Sequence, residues 1–544
     1  MNHLQENQRR LSERIDRVAT EVRVYVVITW LALILQAVYV AKVSGDTPAQ
    51  AAIAAYMDAS LLPPEVAAQR LYLWNPKQSE SLERAVWLAI NSSLTRTNIT
   101  IQPQILAGGK LIAVDLAALA PNASDFRTLL LLVESLALDE PYFHRTFPVS
   151  AHPAVECGRF LFGGRWHTSR RFVAPAEHLG IGSALFDVTG RINPIMRVDH
   201  FVVKVMSTTR GGRYQDFRGW PNGLKLADYL ATRGANEKLV SSLGADERVA
   251  IVRSGVSGKT RRVDYFYGVG VRPTVGLPLV AITRDVSDES VDPNADPFYN
   301  LLNFHFDASE VFAHLPNGLL EYSLFNGDGR MVTEVPPEVA VDHEIPAPHT
   351  QRLEPAVSCI RCHWQKKHDG WRLLKNDVQS MLALRSNGSR VDVLDDLSGG
   401  LDVGDTLRKL AALYAGDWHE PFRLARNYLS DVVFRGTRAT VAQLGTDYAN
   451  LWQSRVYNLV TPGTACYELG YPPDDPSKAV DTLRMLLRPL PSIAGGPPLE
   501  DAVVALMESG IGVNRYQWDR VYVDLQLRAI QNMPKTKPAA RKKP

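Results

Sequence analysis

The sequence predicts an α+β fold: an N-terminal membrane helix, a mixed α/β region, then an α-rich C-terminal part. Three observations predict it. Residues 24–41 are an apolar run broken only by Thr29 and Gln36, near the minimum length of a membrane-spanning helix. Up to residue 335, helical periodicities alternate with β-branched runs and a strong turn, Asn326-Gly-Asp-Gly329. Beyond residue 390 the pattern is helical throughout. Hydrophobic residues make up 45% of the 544-residue chain and charged residues 22%, ordinary values for a globular body with real cores.

Residues 1–23 carry Arg9, Arg10, Arg14, Arg17 and Arg23, while only Lys42 closely follows the apolar run. The positive-inside rule therefore places 1–23 in the cytoplasm, makes 24–41 a signal anchor and exports the rest. A cleaved signal peptide is the competing reading, with Val43-Ser-Gly45 as a tolerable cleavage site. Residues 42–60 read as a linker, and 61–335 as one or more mixed α/β exported domains. Within these, 79–94 reads as an amphipathic helix with Leu82, Ala85, Val86, Ala89 and Ile90 on one face. Further helices are expected at 126–138, 224–232 and 236–243, and strands at 110–116, 196–206 and 277–286. A hairpin is expected from 319–325 and 331–335 around the Asn-Gly-Asp-Gly turn. Residues 336–355 read as a loop. Helices follow at 402–414, 421–434, 438–452, 477–487 and 499–509 within a helical region spanning 391–530. The basic end, 531–544, reads as a disordered tail.

The segment 336–390 contains Cys359-Ile-Arg-Cys-His363, which holds two of the chain's four cysteines. C-x-x-C-H is the attachment signature of c-type haem. Thiols three positions apart lie near one helix face, so Cys359 and Cys362 can each bond a haem vinyl group. His363 then lies under the ring as the proximal iron ligand. A structural zinc site would need further ligands at short spacing; His368 is the other close candidate, and no second C-x-x-C exists. A thioredoxin-like pair would want a preceding strand, which residues 352–358 do not resemble. One covalent haem c is therefore expected, and its attachment outside the cytoplasm agrees with export.

The sixth iron position stays open among Met381, His305, His314, His343, His349 and no ligand at all. Met381 also fits plain core packing, because Ser380-Met-Leu-Ala-Leu384 is helical in pattern. His368, on the same local stretch as His363, is badly placed to reach the opposite haem face. Arg361, Lys366 and Lys367 are candidates for the haem propionates or a solvated basic surface. Trp364 and Trp371 are candidates for walling the haem edge or plain core.

A net charge of +2 gives no electrostatic case for nucleic acid. Ser254-Gly-Val-Ser-Gly-Lys-Thr260 is half of a phosphate loop, but Arg253 stands where the first glycine belongs, and the segment is on the wrong side of a membrane for ATP. No nucleotide partner is expected. Cys157 and Cys466 are open between a disulfide and two buried thiols. Asp199, His200 and Asp307 are scattered and define no catalytic constellation.

Several runs together resemble a family of large exported bacterial proteins with a single C-terminal c-type haem motif. They are Leu82-Glu-Arg-Ala-Val-Trp-Leu-Ala-Ile-Asn-Ser-Ser-Leu94, Leu111-Ile-Ala-Val-Asp-Leu116, Arg197-Val-Asp-His-Phe201, Ser254-Gly-Val-Ser257, Leu315-Pro-Asn-Gly-Leu319 and the haem run. The family usually has Trp where His200 stands and Met-Ser where Ile360-Arg361 stand; neither change touches the attachment chemistry. The resemblance implies a haem protein of the cell envelope and supplies no reaction.

The expectation is a membrane-anchored periplasmic monohaem c-type cytochrome, held in the inner membrane and passing electrons to a redox partner protein in the envelope. A peroxidase-like haem oxidoreductase is the alternative that the bulk favours, since a bare carrier needs about 100 residues. A haem-based sensor or envelope scaffold is the third reading.

Overall fold

The computed structural model describes residues 48–138, 159–168, 181–235, 249–287, 305–373 and 436–532, with breaks inside these spans. It mixes helices and sheets, the α+β class that the sequence predicts. Residues expected as a linker instead form helix α1, Pro48–Ser60. Ala51, Ala52, Ala54, Ala55 and Ala59 are all buried on it. Alanine is the strongest helix former, and its small side chain lets α1 lie close against Tyr72, Trp74 and Leu185.

The chain continues through β1 (Arg70–Trp74), α2 (Glu80–Asn91), β2 (Gln104–Leu106), β3 (Leu111–Asp115) and α3 (Ala123–Leu138). A hairpin of β4 (Arg159–Phe162) and β5 (Arg165–Thr168) follows, then α4 (Ile181–Thr189) and β6 (Ile195–Arg197). Helices α5 (Val198–Val205), α6 (Tyr214–Phe217) and α7 (Leu226–Thr232) complete this part. Strands β1, β2, β3 and β6 make a four-stranded sheet ordered β2-β3-β1-β6, with β1 antiparallel to β3 and parallel to β6.

The expected strand over 196–206 is a correction: only Ile195–Arg197 is strand, and Val198–Val205 is helix. Its β-branched content reads as strand. Tertiary packing overrides that, because Val198, Phe201, Val202 and Val205 are buried at the i, i+3, i+4, i+7 spacing of one helix face.

A second sheet of seven strands is ordered β12-β11-β10-β9-β8-β7-β13. Its members are β7 (Val249–Arg253), β8 (Thr260–Phe266), β9 (Val280–Asp285), β10 (Ala308–His314), β11 (Leu320–Asn326), β12 (Met331–Val332) and β13 (Arg372–Leu373). The expected hairpin is β11–β12, closed by Gly329 N–H donating to Asn326 O at 2.9 Å with Gly329 at φ 69°. Only glycine takes that φ without cost.

Period-two alternation gives this sheet two different faces. Val280, Ile282, Val311, Ala313 and Phe325 pack on Leu226, Tyr229 and Leu230 of α7. Val263, Tyr265, Ala281, Phe312 and Tyr322 share a core with helix α8, Val357–His363, and helix α9, Val441–Trp452. Leu71, Leu73, Ile112 and Phe201 belong to that same core. Tyr72 and Trp74, on the other face of β1, belong to a second core with Cys466, Leu483, Trp518 and Tyr522 of α10 (Pro462–Glu468), α11 (Ala479–Leu486) and α12 (Arg515–Asn532). Helix α1 lies on this face of the N-terminal sheet, with the Tyr72 hydroxyl donating to Asp58 Oδ2 at 2.7 Å.

The expected membrane helix, 24–41, lies outside the described residues, as do the expected helices at 236–243, 402–414 and 421–434. Among the described residues no helix is long and apolar enough to cross a membrane.

Candidate functional site

The Cys-Ile-Arg-Cys-His run forms helix α8 together with the preceding Val357 and Ser358. Ala356 leads into it at φ 61°, ψ −59°, the centre of a γ-turn closed by Val357 N–H donating to Pro355 O at 2.8 Å. This region is strained for a residue with a Cβ. The surroundings hold it in place. Ser358 Oγ donates to Asp342 Oδ2 at 2.6 Å and accepts from Glu354 N–H at 3.1 Å. Glu354 Oε2 in turn accepts from Ser207 Oγ at 3.1 Å. Arg361 forms a buried ion pair with Asp342.

At the far end of α8, the Trp364 indole N–H donates to the Tyr322 hydroxyl. Gly445 of α9 approaches so closely that a Cβ there would lie 2.7 Å from Trp364 Cβ. The helix is pinned at both ends between the seven-stranded sheet and α9.

Cys359 is 2% exposed, and its Sγ donates to Glu310 Oε1 at 2.9 Å. Glu310 sits mid-strand on β10, one position before Val311 and two before Phe312, on the face that packs against α8. Arg261 on β8 lies 3.5 Å from Glu310 and 3.3 Å from Asp285 of β9. Burial pushes the Glu310 carboxyl above its ordinary value, against the lowering pull of Arg261 and the Cys359 hydrogen bond. Burial likewise holds the Tyr322 phenol well above its usual range. A cavity of about 10 Å³ lies between Glu310, Leu324, Val335 and Leu353, room for about one water.

The structure brings Cys359, Cys362 and His363 onto one helix; the side chains of Cys362 and His363 lie outside the described residues. Met381, His349, His368, Lys366, Lys367 and Trp371 lie wholly outside them, as does most of the Ser254–Thr260 loop. His305 and His343 are exposed. His314 ends β10, and burial pushes its imidazole down to about 4. Arg361, a candidate for haem propionates, is buried on Asp342. Trp364 is buried in the shared core, the packing alternative raised for it.

Asp199 binds Arg197 and Arg455 rather than a catalytic group. His200 is buried, with Nε2 3.0 Å from Leu136 O. Cys466 is a free buried thiol raised to about 11 by burial, and Cys157, left open as a partner, lies outside the described residues. Among the described residues no group of three or more His, Cys, Asp and Glu is placed to hold a metal ion.

Glu310, Asp342, Tyr322 and Gly445 were not flagged by the sequence. Each reaches α8 from a distant element, and no local spacing marks it.

Covalent haem would be tied at Cys359 and Cys362, of which Cys359 is packed in the core. C-x-x-C on α8 sets the two cysteines one turn apart, the separation that two vinyl groups need. At Cys359 the fit has a condition. A thioether sulfur carries no proton, so attachment there removes the hydrogen bond that Glu310 now accepts.

Compared with family models, with curated proteins and with solved structures, the chain matches none.

Proposed function

We propose that this chain is a membrane-anchored, extracytoplasmic monohaem c-type cytochrome that passes electrons to a redox partner protein of the cell envelope. Cys359 and Cys362 tie one haem c to the chain, and His363 is the proximal ligand. The observation that carries this reading is the C-x-x-C-H run lying on a helix, α8, with its cysteines one turn apart. Haem c supplies one-electron chemistry at iron.

The chain's own residues do the rest. The Asp342–Arg361 pair and the Trp364–Tyr322 hydrogen bond fix the helix that carries the attachment points. The packed core around Cys359 excludes water from its side of the helix. Residues 24–41 serve as the inner-membrane anchor, with 1–23 in the cytoplasm. The resemblance to exported single-haem bacterial proteins supports the same placement.

The test is the full-length protein made in a host competent in cytochrome maturation. A reduced-minus-oxidised spectrum of c type, a methionine-sulfur or bis-histidine signature, and slow carbon monoxide binding by the reduced form are expected. Rapid carbon monoxide binding overturns the carrier, because it requires an open or weakly held sixth position.

A further inference from the structure

Where Cys359 now lies, its sulfur has no room for a porphyrin. Val357, Cys359 and Ile360 of α8, and Trp364 at its end, are buried in the core shared with the seven-stranded sheet. The Cys359 thiol is turned to strand β10, where it meets Glu310 at 2.9 Å. The cavity beside Glu310, about 10 Å³, holds about one water. A haem tied to this sulfur and the present packing of α8 therefore exclude each other.

The contacts of α8 form one unit. The Trp364 indole is bonded to Tyr322 on the sheet, and Arg361 is paired with Asp342. Gly445 of α9 comes so near on the other side that a side chain there meets Trp364. Close-packed contacts of this kind hold or give way together rather than stretch. Ala356, at φ 61° and ψ −59° directly before α8, is the hinge: its strain persists only while the surroundings enforce it.

We propose that α8 is a haem-loading switch, docked between the sheet and α9 in the haem-free protein and held undocked once Cys359 carries its thioether. The inference rests on the proposed function and adds to it that the haem-free and loaded chains present different surfaces to a partner. Attachment adds the Cys359 S–H across a vinyl C=C. Sulfur bonds one carbon, the proton goes to the other, and no oxidant or reductant is consumed. The thioether has no proton to donate to Glu310, which keeps Arg261 as its neighbour at 3.5 Å. Undocking uncovers Tyr265, Phe312 and Tyr322 of the sheet. An apolar ring tied to α8 offers that face the same kind of cover.

The test uses full-length protein from two hosts, one competent in cytochrome maturation and one lacking it, with loading read from intact mass. In the folded haem-free protein, iodoacetamide is expected to alkylate Cys359, located by peptide mass, at least about 100-fold more slowly than in urea, because a buried thiol reacts only through opening. Gly445→Val forces a branched side chain into Trp364. It is expected to lower the Tm of the haem-free protein by about 3 °C or more, or to prevent its folding, and to leave the Tm of the loaded protein unchanged. Leu483→Ala, in the second core, lowers both alike. The same Tm shift in both forms for Gly445→Val, zero included, overturns the switch and leaves the cytochrome reading standing. So does Cys359 alkylated as fast in the folded haem-free protein as in urea. Protein from the competent host without haem overturns the cytochrome reading, and the switch with it.

Discussion

Cys359 donates a hydrogen bond from helix α8 to Glu310 in the middle of strand β10, Sγ to Oε1 2.9 Å. The first cysteine of the C-x-x-C-H run is thereby joined to a buried carboxyl that also pairs with Arg261.

That carboxyl makes stability pH-dependent. Burial raises the Glu310 pKa above its usual 4.5, so between the unfolded and folded values the native state binds more protons than the unfolded one. The contribution is complete below the unfolded value and is lost as pH rises through the folded value. Glu310→Gln removes this dependence. Urea midpoints measured from pH 4 upward for both proteins should lie closest at low pH, where Glu310 is neutral like Gln, and separate as pH rises, with the wild type falling below the variant. Parallel curves would count against it.

Two histidines act with the opposite sign. Burial holds His200 well below 6.5 and His314 down to about 4. Both are neutral in the fold and charge in the unfolded chain. Their contribution is complete above 6.5 and is lost as pH falls toward the folded values. His200→Gln keeps a donor for Leu136 O and should flatten the acid limb of the Tm-against-pH curve. An unchanged acid limb would refute the assignment.

Ala356 at φ 61° carries backbone strain immediately before α8. Glycine takes that conformation without steric cost, so Ala356→Gly should stabilise the protein by about 1 kcal/mol. A loss of stability in chemical denaturation would mean that the Ala356 methyl, fully buried, contributes more than the strain costs.

Gly445 marks the closest approach of α9 to α8. Gly445→Ala would set a Cβ 2.7 Å from Trp364 Cβ and 2.9 Å from its carbonyl carbon. Overpacking of this kind costs about 1–3 kcal/mol. The measurement is the shift in Tm, and no shift would show that α9 moves away freely.

Legibility followed the range of the signal. Helix α2 was readable because Leu82, Ala85, Val86 and Ile90 mark one face. The β11–β12 hairpin was readable from its turn residues, and the helical course of the C-x-x-C-H run from its spacing. Helix α1 was misread because its buried face is alanine, which gives little hydropathy contrast. Helix α5 was misread because valine and phenylalanine favour strands until packing decides. The residues around Cys359 were not readable at all. Asp342 and Glu310 reach α8 across 16 and 49 positions, and strand register, which no local pattern encodes, brings Glu310 to Cys359.

Covalent attachment is the claim on which the electron-transfer reading depends. Intact mass of the denatured full-length protein from a maturation-competent host measures it directly. The account predicts a mass increase of one haem, retained after denaturation and lost in Cys359→Ala/Cys362→Ala. An unmodified wild-type mass, or an added mass that survives replacement of both cysteines, would contradict it.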